Sequence, residues 1–122
     1  MSRLYALRGA TSVESNTAES ITAATAQLLK ELFERNALQS DALVSCIFTA
    51  TNDLDAEFPA VAARTMGLDR VPLLCAREID VPGSLPQVVR VLIHHYAADD
   101  HTAQHVYLGE ARSLRADLDA AQ

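Results

Sequence analysis

The residue whose surroundings are most informative is an arginine inside an apolar segment. Arg90 lies in the run VVRVLI at 88–93, where the neighbouring side chains indicate burial. A guanidinium is rarely buried without a partner. Two interpretations are therefore open: Arg90 belongs to a site that binds an anion, or it forms an internal ion pair with a structural role.

Three further polar residues could carry chemistry, and each has an ordinary structural alternative. Arg8 is expected to end a strand just before a glycine, where a guanidinium is usually solvated. Glu78 follows a predicted strand, and its alternative role is a surface carboxylate or a partner of Arg77. Tyr107 lies in a short strand, where half-buried packing is the more usual role. None of these residues identifies a site alone.

Cys75 raises the question of a nucleophile. A cysteine nucleophile needs a base, and only His105 is a candidate for that role. Burial as a small apolar residue is the ordinary alternative. The sequence contains no GxSxG, GxGxxG or P-loop motif and no paired acid–base carboxylates. A set of arginine, glutamate, tyrosine and cysteine side chains without a proton shuttle favours binding and polarising an anion.

Cysteine and histidine usage predicts neither a disulfide framework nor a metal site. The two cysteines, Cys46 and Cys75, are too few for a disulfide scaffold. Two of the four histidines, His94 and His95, are adjacent in a predicted strand. Adjacent strand residues point to opposite faces, so these two cannot bind one metal ion together.

Charge and hydropathy argue against binding to nucleic acid and against a membrane-spanning segment. The net charge of −6 disfavours binding to nucleic acid or to an anionic membrane. An anionic substrate would therefore need a local arginine cluster. The apolar runs at 42–50 and 88–93 are too short to span a bilayer. The opening MSRLYALRG has no apolar signal core, so a cytoplasmic location is expected.

Two segments have helical character. Apolar residues recur at helical spacing across 17–36, and Asn16 with Glu19 resembles a capping box at its start. Pro59 suits the first turn of a second helix, which continues through 60–66 to a glycine.

Strand character, given by β-branched and aromatic residues or by alternation, occurs in five segments. These are 3–8, 43–50, 71–76, 87–96 and 105–108. The predicted order is β, α, β, α, β, β, β, without an internal repeat or linker. We therefore expect a single domain over residues 1–122, with mobility from about Ala116 onward. The fold class is α+β, with a mixed five-stranded sheet and two helices on one face.

The other face of such a sheet would be open. Segments 43–50 and 87–93 are apolar on both sides, so something should cover this face. A homo-oligomer is the simplest cover.

Four blocks of the sequence resemble the AroH class of chorismate mutases, in order and in register over nearly the whole chain. They are LRGATSVESNTAESI at 7–21, TATNDLDAEFPAVAAR at 49–64, VPLLCAREIDVPGSLPQVVRVLIH at 71–94 and HVYLGEARSLRADL at 105–118. The resemblance implies a cofactor-free rearrangement of chorismate to prephenate. It also implies a homotrimer that forms a pseudo-α/β barrel with active sites at the subunit interfaces.

The resemblance also assigns residues to the site. The residues that match the family's catalytic positions are Arg8, Cys75, Glu78, Arg90 and Tyr107. Those that match its substrate-binding wall and pocket mouth are Phe58, Ala60, Arg64, Leu73, Leu74, Leu114 and Arg115. We expect Arg90 at the breaking ether oxygen, Arg8 and Tyr107 at carboxylates, and Glu78 with Cys75 at the ring hydroxyl. The wall formed by Phe58, Ala60, Leu73 and Leu74 should come from the neighbouring subunit.

Two positions differ from the family pattern. Val61 replaces a lysine that is common in the family, and Leu74 replaces a threonine. The missing lysine changes how a carboxylate is bound on that side: either Arg64 or the end of the chain replaces it, or binding is weaker. Val61 supports one alternative function, a non-catalytic trimer that binds a small anionic metabolite. A second alternative is a hydrolase or deaminase that depends on Cys75.

Overall fold

The structure, a computed structural model, describes residues 2–114. Its strands and helices are β1 (Ser2–Ser12), α1 (Ala18–Asn36), β2 (Leu43–Ala50), α2 (Ala60–Thr65), β3 (Leu73–Arg77), β4 (Val88–Ala98) and β5 (Val106–Leu108). Short 3₁₀ turns occupy Ser40–Ala42 and Gly109–Ala111. This is the element order that the sequence predicts. Arg115 and the predicted mobile end from Ala116 lie outside the described residues.

The five strands form one mixed sheet in the order β3-β2-β4-β1-β5. The central strand β4 pairs antiparallel with both β1 and β2. The two outer strands are parallel to their neighbours, β3 to β2 and β5 to β1. The α+β prediction of a mixed five-stranded sheet is therefore confirmed.

Helix α1 begins one residue later than the capping prediction. Thr17 is the N-cap, and its side-chain oxygen accepts a hydrogen bond from the backbone N–H of Ser20 at 3.1 Å. Asn16 instead accepts from the backbone N–H groups of Asp55 and Ala56 with its Oδ1. The prediction that Asn16 caps α1 is wrong, because its side chain is used to hold the loop before α2.

Gly9 does not end β1, as the sequence suggested, but lies under α1. A Cβ atom at Gly9 would be 2.8 Å from Leu32 Cδ1 and 3.1 Å from Leu28 Cδ1. Glycine therefore permits the close approach of helix and sheet, and the strand continues to Ser12. Arg8 consequently lies within a strand and not at its end.

Both helices cover the same face of the sheet. Leu28 and Leu32 of α1 and Ala63 of α2 share one buried cluster with Phe48 and Val91 of the central strands. Because strand residues alternate between faces, the intervening residues lie on the other face. We call this second surface the open face. In the single chain it exposes apolar side chains, among them Leu4, Leu74 and Tyr96.

A histidine of β4 is buried on the helix side. His95 is 1% exposed and stacks on Tyr5, with ring centroids 5.9 Å apart. His101 packs edge-on against both rings. The Nε2 atoms of His95 and His101 have no hydrogen-bond partner among residues 2–114. Burial is the main cause that lowers the pKa of His95 below its ordinary value of 6.5.

This shift predicts how stability depends on pH. As pH falls below about 6.5, the unfolded chain takes up the His95 proton before the folded chain does. Stability that is present above this pH is therefore lost, by at most about 1.4 kcal/mol for each pH unit. Urea unfolding at about pH 7.5 and about pH 5.5 measures the loss. His95→Gln should reduce it, and an unchanged loss in His95→Gln contradicts the assignment.

Candidate active site

A row of side chains crosses the open face at one level of the sheet. Thr49 of β2 is directly opposite Arg90 of β4. Arg90 is opposite Ala10 of β1, and Ala10 is in register with Tyr107 of β5. Neighbouring strands lie about 4.8 Å apart, so Arg90 and Tyr107 stand on either side of a small alanine. The two long polar side chains therefore flank a recess.

This recess is a cavity of about 480 Å³, a size typical of small-ligand sites. Its lining combines two arginines and a tyrosine with mostly apolar neighbours. The lining residues are Arg8, Gly9, Ala10, Ile47, Thr49, Arg90, Val91, Leu92, Tyr107 and Leu114. Four of the residues predicted from the sequence, Arg8, Arg90, Tyr107 and Leu114, are thus brought together in one chain.

Arg90 both faces this cavity and forms an ion pair. Its Nε is 3.3 Å from Glu78 Oε2, and the two side chains are 43% and 15% exposed. The same Glu78 oxygen accepts a hydrogen bond from the Thr49 hydroxyl at 2.8 Å. The ion pair expected from the sequence is therefore present, while the anion-binding role of Arg90 stays a prediction. The ion pair lies at the Nε edge of the guanidinium without hydrogen-bond geometry, and the Arg90 side chain also lines the cavity.

Glu78 is held by the sheet and not by its neighbour in sequence. Its backbone N–H donates to the carbonyl of Ala50 at 3.1 Å, which extends the β2–β3 pairing. The Arg77 guanidinium donates instead to the carbonyls of Thr51 and Leu54. The alternative role of Glu78 as a partner of Arg77 is therefore wrong.

Arg8 is fixed at the backbone next to β5. Its N–H donates to His105 Nδ1 at 3.0 Å. Arg8 pairs with Leu92 across β1 and β4, one level along the open face from Arg90. Both arginines thus line one cavity from adjacent strands.

A second depression, of about 420 Å³, lies at the β3 edge of the sheet. Phe58, Cys75 and Arg77 are among its lining residues. Phe58 is 65% exposed, which is unusual for an aromatic side chain. We call this depression the β3-edge groove.

Cys75 lies on the side of β3 away from Arg90. It is opposite the buried Phe48 of β2 and packs against the helix-side core. Glu78 lies three residues further on, against Thr49 on the open face. Within one chain, Cys75 and Glu78 therefore face opposite sides of the sheet.

The remaining predicted residues lie apart from the cavity. Ala60 is 2% exposed within the core, and Leu73 packs against the same core. Leu74 is 60% exposed at the β3 edge, and Arg64 is exposed near the end of α2. Ala60, Leu73, Leu74 and Arg64 line neither the cavity nor the β3-edge groove. Arg115 lies outside the described residues.

Sequence reasoning missed Thr49, Ile47 and Leu92. Leu92 could have been found, because it is two residues from Arg90 and so shares its face. Thr49 and Ile47 depend on the register between β2 and β4, which no local pattern specifies.

The arrangement is suited to binding an anion without proton transfer. Two guanidinium groups and a tyrosine hydroxyl can meet negatively charged oxygens. Within residues 2–114, no three histidine, cysteine, aspartate or glutamate side chains cluster as metal ligands. Cys75 and His105 lie by the opposite edge strands β3 and β5, so they form no nucleophile–base pair within one chain.

Comparisons with known proteins agree on one family. Residues 4–118 match the family model described as chorismate mutase type I. The chain is 51% identical over 118 residues to chorismate mutase AroH of Thermus thermophilus, covering 95% of this chain and 97% of that protein. Identity to chorismate mutase AroH of Bacillus subtilis (strain 168) is 40% over 114 residues, covering 92% and 90%. A solved chorismate mutase structure from Clostridium thermocellum has a TM-score of 0.85 at 50% identity, covering 89% of this chain and 98% of that one.

Proposed function

Because this chain belongs to the type I chorismate mutase family and is a chorismate mutase, we propose that its substrate binds in the open-face cavity. The observation that supports this location is the convergence of Arg8, Arg90 and Tyr107 on one recess. Chorismate and prephenate are dianions, and the chain carries a net charge of −6. Local guanidinium groups are therefore needed to attract the substrate.

The reaction is an intramolecular Claisen rearrangement, in which one carbon–oxygen bond breaks as a carbon–carbon bond forms. It needs no proton transfer and no covalent intermediate. The protein can accelerate it by holding the flexible dianion in its compact reactive shape. It can also stabilise charge that develops only in the transition state.

Arg90 has the position needed for the second contribution. As the ether bond lengthens, its oxygen gains negative charge, and a fixed guanidinium donor stabilises that charge without rearranging. The ion pair with Glu78, at 3.3 Å, lies at the Nε edge of Arg90. The outer nitrogens of its planar fork can then be directed at the ether oxygen and a nearby carboxylate.

The other polar residues bind the ends of the substrate. Arg8 and Tyr107 meet carboxylates, which fixes the ring against the apolar floor of Ile47 and Leu92. Glu78 accepts a hydrogen bond from the ring hydroxyl. These contacts form in the ground state and orient the reacting atoms.

A second copy of the chain completes the site in this proposal. The open face is apolar and uncovered in the single chain, and the Cys75 thiol lies on the opposite side of the sheet from the Glu78 carboxylate of its own chain. We therefore assign Cys75 and the exposed Phe58 to the site of a neighbouring copy in a homotrimer. We assign the exposed Leu74 and Arg64 to the same neighbouring wall, and the core residues Ala60 and Leu73 support it from behind. Leu114 closes the cavity from the chain's own side.

The net charge and the two helices bear on which partners are expected. The negative net charge opposes binding to nucleic acid and to anionic lipid, and a cytoplasmic location remains our prediction. Neither α1 nor α2 is long and apolar enough to cross a bilayer. The reaction calls for no cofactor, since the substrate contains every atom that changes its bonding.

The proposed mechanism predicts a flat pH profile. Because no side chain donates or removes a proton in the reaction, kcat should change little between about pH 6.5 and about pH 8.5. Loss of chorismate absorbance under saturating substrate measures this directly. A sharp bell-shaped profile would require an acid and a base in the reaction and would contradict the mechanism.

A further inference from the structure

Within residues 2–114, the Glu78 carboxylate has two polar side-chain partners, and the one besides Arg90 is Thr49. Its hydroxyl donates to Glu78 Oε2 at 2.8 Å. Arg90 Nε lies 3.3 Å from the same oxygen. One carboxylate oxygen is thus shared by a threonine and an arginine, while no side chain of the described residues bonds to Oε1.

The backbone leaves Thr49 little freedom. It lies in β2, which pairs on one side with β3 and on the other with β4, opposite Ala76 and Arg90 respectively. A β-branched side chain in a strand has few allowed rotamers. The hydroxyl is therefore held at a fixed point between Glu78 and Arg90.

The Glu78 side chain has much more conformational freedom than that of Thr49. Its backbone is tied to Ala50 by one hydrogen bond, but it lies just beyond the end of β3 and has three side-chain torsions. Without another restraint its carboxylate could turn towards the outer nitrogens of Arg90 and form a paired, two-bond contact with them. Those are the nitrogens that the substrate needs.

We propose that Thr49 is a positioning residue of the active site, which holds the Glu78 carboxylate so that the Arg90 fork stays available to the substrate. This inference rests on the roles proposed for Arg90 and Glu78. The Thr49 hydroxyl occupies Oε2 and so limits Glu78 to a contact with Nε. Oε1 then remains directed at the ring hydroxyl.

Thr49→Val removes the hydroxyl and keeps the shape and the strand preference of the side chain. We expect kcat to fall about tenfold, in line with the loss of one hydrogen bond to a charged group. KM should change less than twofold, because Arg8 and Tyr107 still bind the carboxylates. Thr49→Ser restores a hydroxyl at the same point and should recover most of kcat.

Two comparisons separate positioning from a general effect on the strand. Ser45→Ala removes another hydroxyl from β2, whose partner is His94 Nδ1 at 3.1 Å, and should leave kcat unchanged. In the Glu78→Ala background, Thr49→Val should cause little further loss, because the group that it positions is already absent. Circular dichroism and thermal unfolding verify that each variant is folded.

The outcomes distinguish this inference from the proposed site itself. If Glu78→Ala and Arg90→Ala lower kcat but Thr49→Val does not, the role of Thr49 is wrong and the site stands. If none of the three lowers kcat, the site assignment is wrong. If Ser45→Ala causes the same loss as Thr49→Val, or if Thr49→Val and Glu78→Ala are fully additive, positioning is excluded.

Discussion

Arg90→Ala is expected to lower kcat about 10³-fold, the upper range for loss of one preorganised donor at a developing oxyanion. The physical reason is that charge on the ether oxygen appears only as its bond to carbon breaks. Arg90 lines the cavity with its side chain 43% exposed, so truncation removes a donor without leaving a cavity in the core. Steady-state conversion of chorismate to prephenate measures the loss.

Two variants provide the controls for this prediction. Arg90→Lys keeps the charge but loses the planar fork, so it should recover only part of kcat. Arg35→Ala removes an arginine whose ion pair with Glu31 lies on the outer side of α1, and it should retain wild-type kcat. If Arg90→Ala kept near-normal kcat, the assignment of Arg90 to the ether oxygen would be wrong.

The sequence predicted the elements well where periodicity and turn residues agree. The bounds of β2 were predicted to the residue, and α1 differs only at its first position. The end of β1 was missed because Gly9 carries a tertiary role. Its missing side chain makes room for Leu28 and Leu32, and the sequence around it resembles that of a strand end.

The site was predicted in part, and the limit is the pairing of distant strands. Arg90 can be recognised from the local sequence, because an arginine in an apolar strand indicates a charge that needs a partner. Its ion pair with Glu78, beside Thr49, depends on the register of β4 with β2 and of β2 with β3, which is a long-range property. The family resemblance supplied Glu78 and Cys75 together, but only the alternation along β3 shows that they face opposite sides in one chain.

Because Cys75 and Glu78 face opposite sides of the sheet in one chain, the central claim about this protein is that each active site is shared between two chains. In the proposed trimer, each site takes its arginines from the open face of one chain and Phe58 from the β3-edge groove of the next. Phe58→Asp changes a residue that is 65% exposed, so the chain should still fold. Its new carboxylate would repel the substrate dianion, and the variant alone should be nearly inactive. Arg90→Ala alone should also be nearly inactive.

Mixing the two variants should restore activity. When Arg90→Ala and Phe58→Asp chains assemble at random in equal amounts, about three quarters of the trimers contain both. In every trimer that contains both kinds of chain, one of the three sites combines an intact open face with an intact groove, and the other two sites each carry at least one of the changes. About one quarter of wild-type activity is therefore expected for the mixture. A mixture of Arg90→Ala with Arg8→Ala is the matched control, because both changes lie on the open face and no intact site can form.

Chorismate turnover by the co-expressed Arg90→Ala and Phe58→Asp chains is the most direct measurement of this claim. A site built between protomers predicts activity near one quarter of wild type for this pair and background activity for the two-arginine control. Background activity for both mixtures, in particles shown by light scattering to contain both kinds of chain, would contradict it.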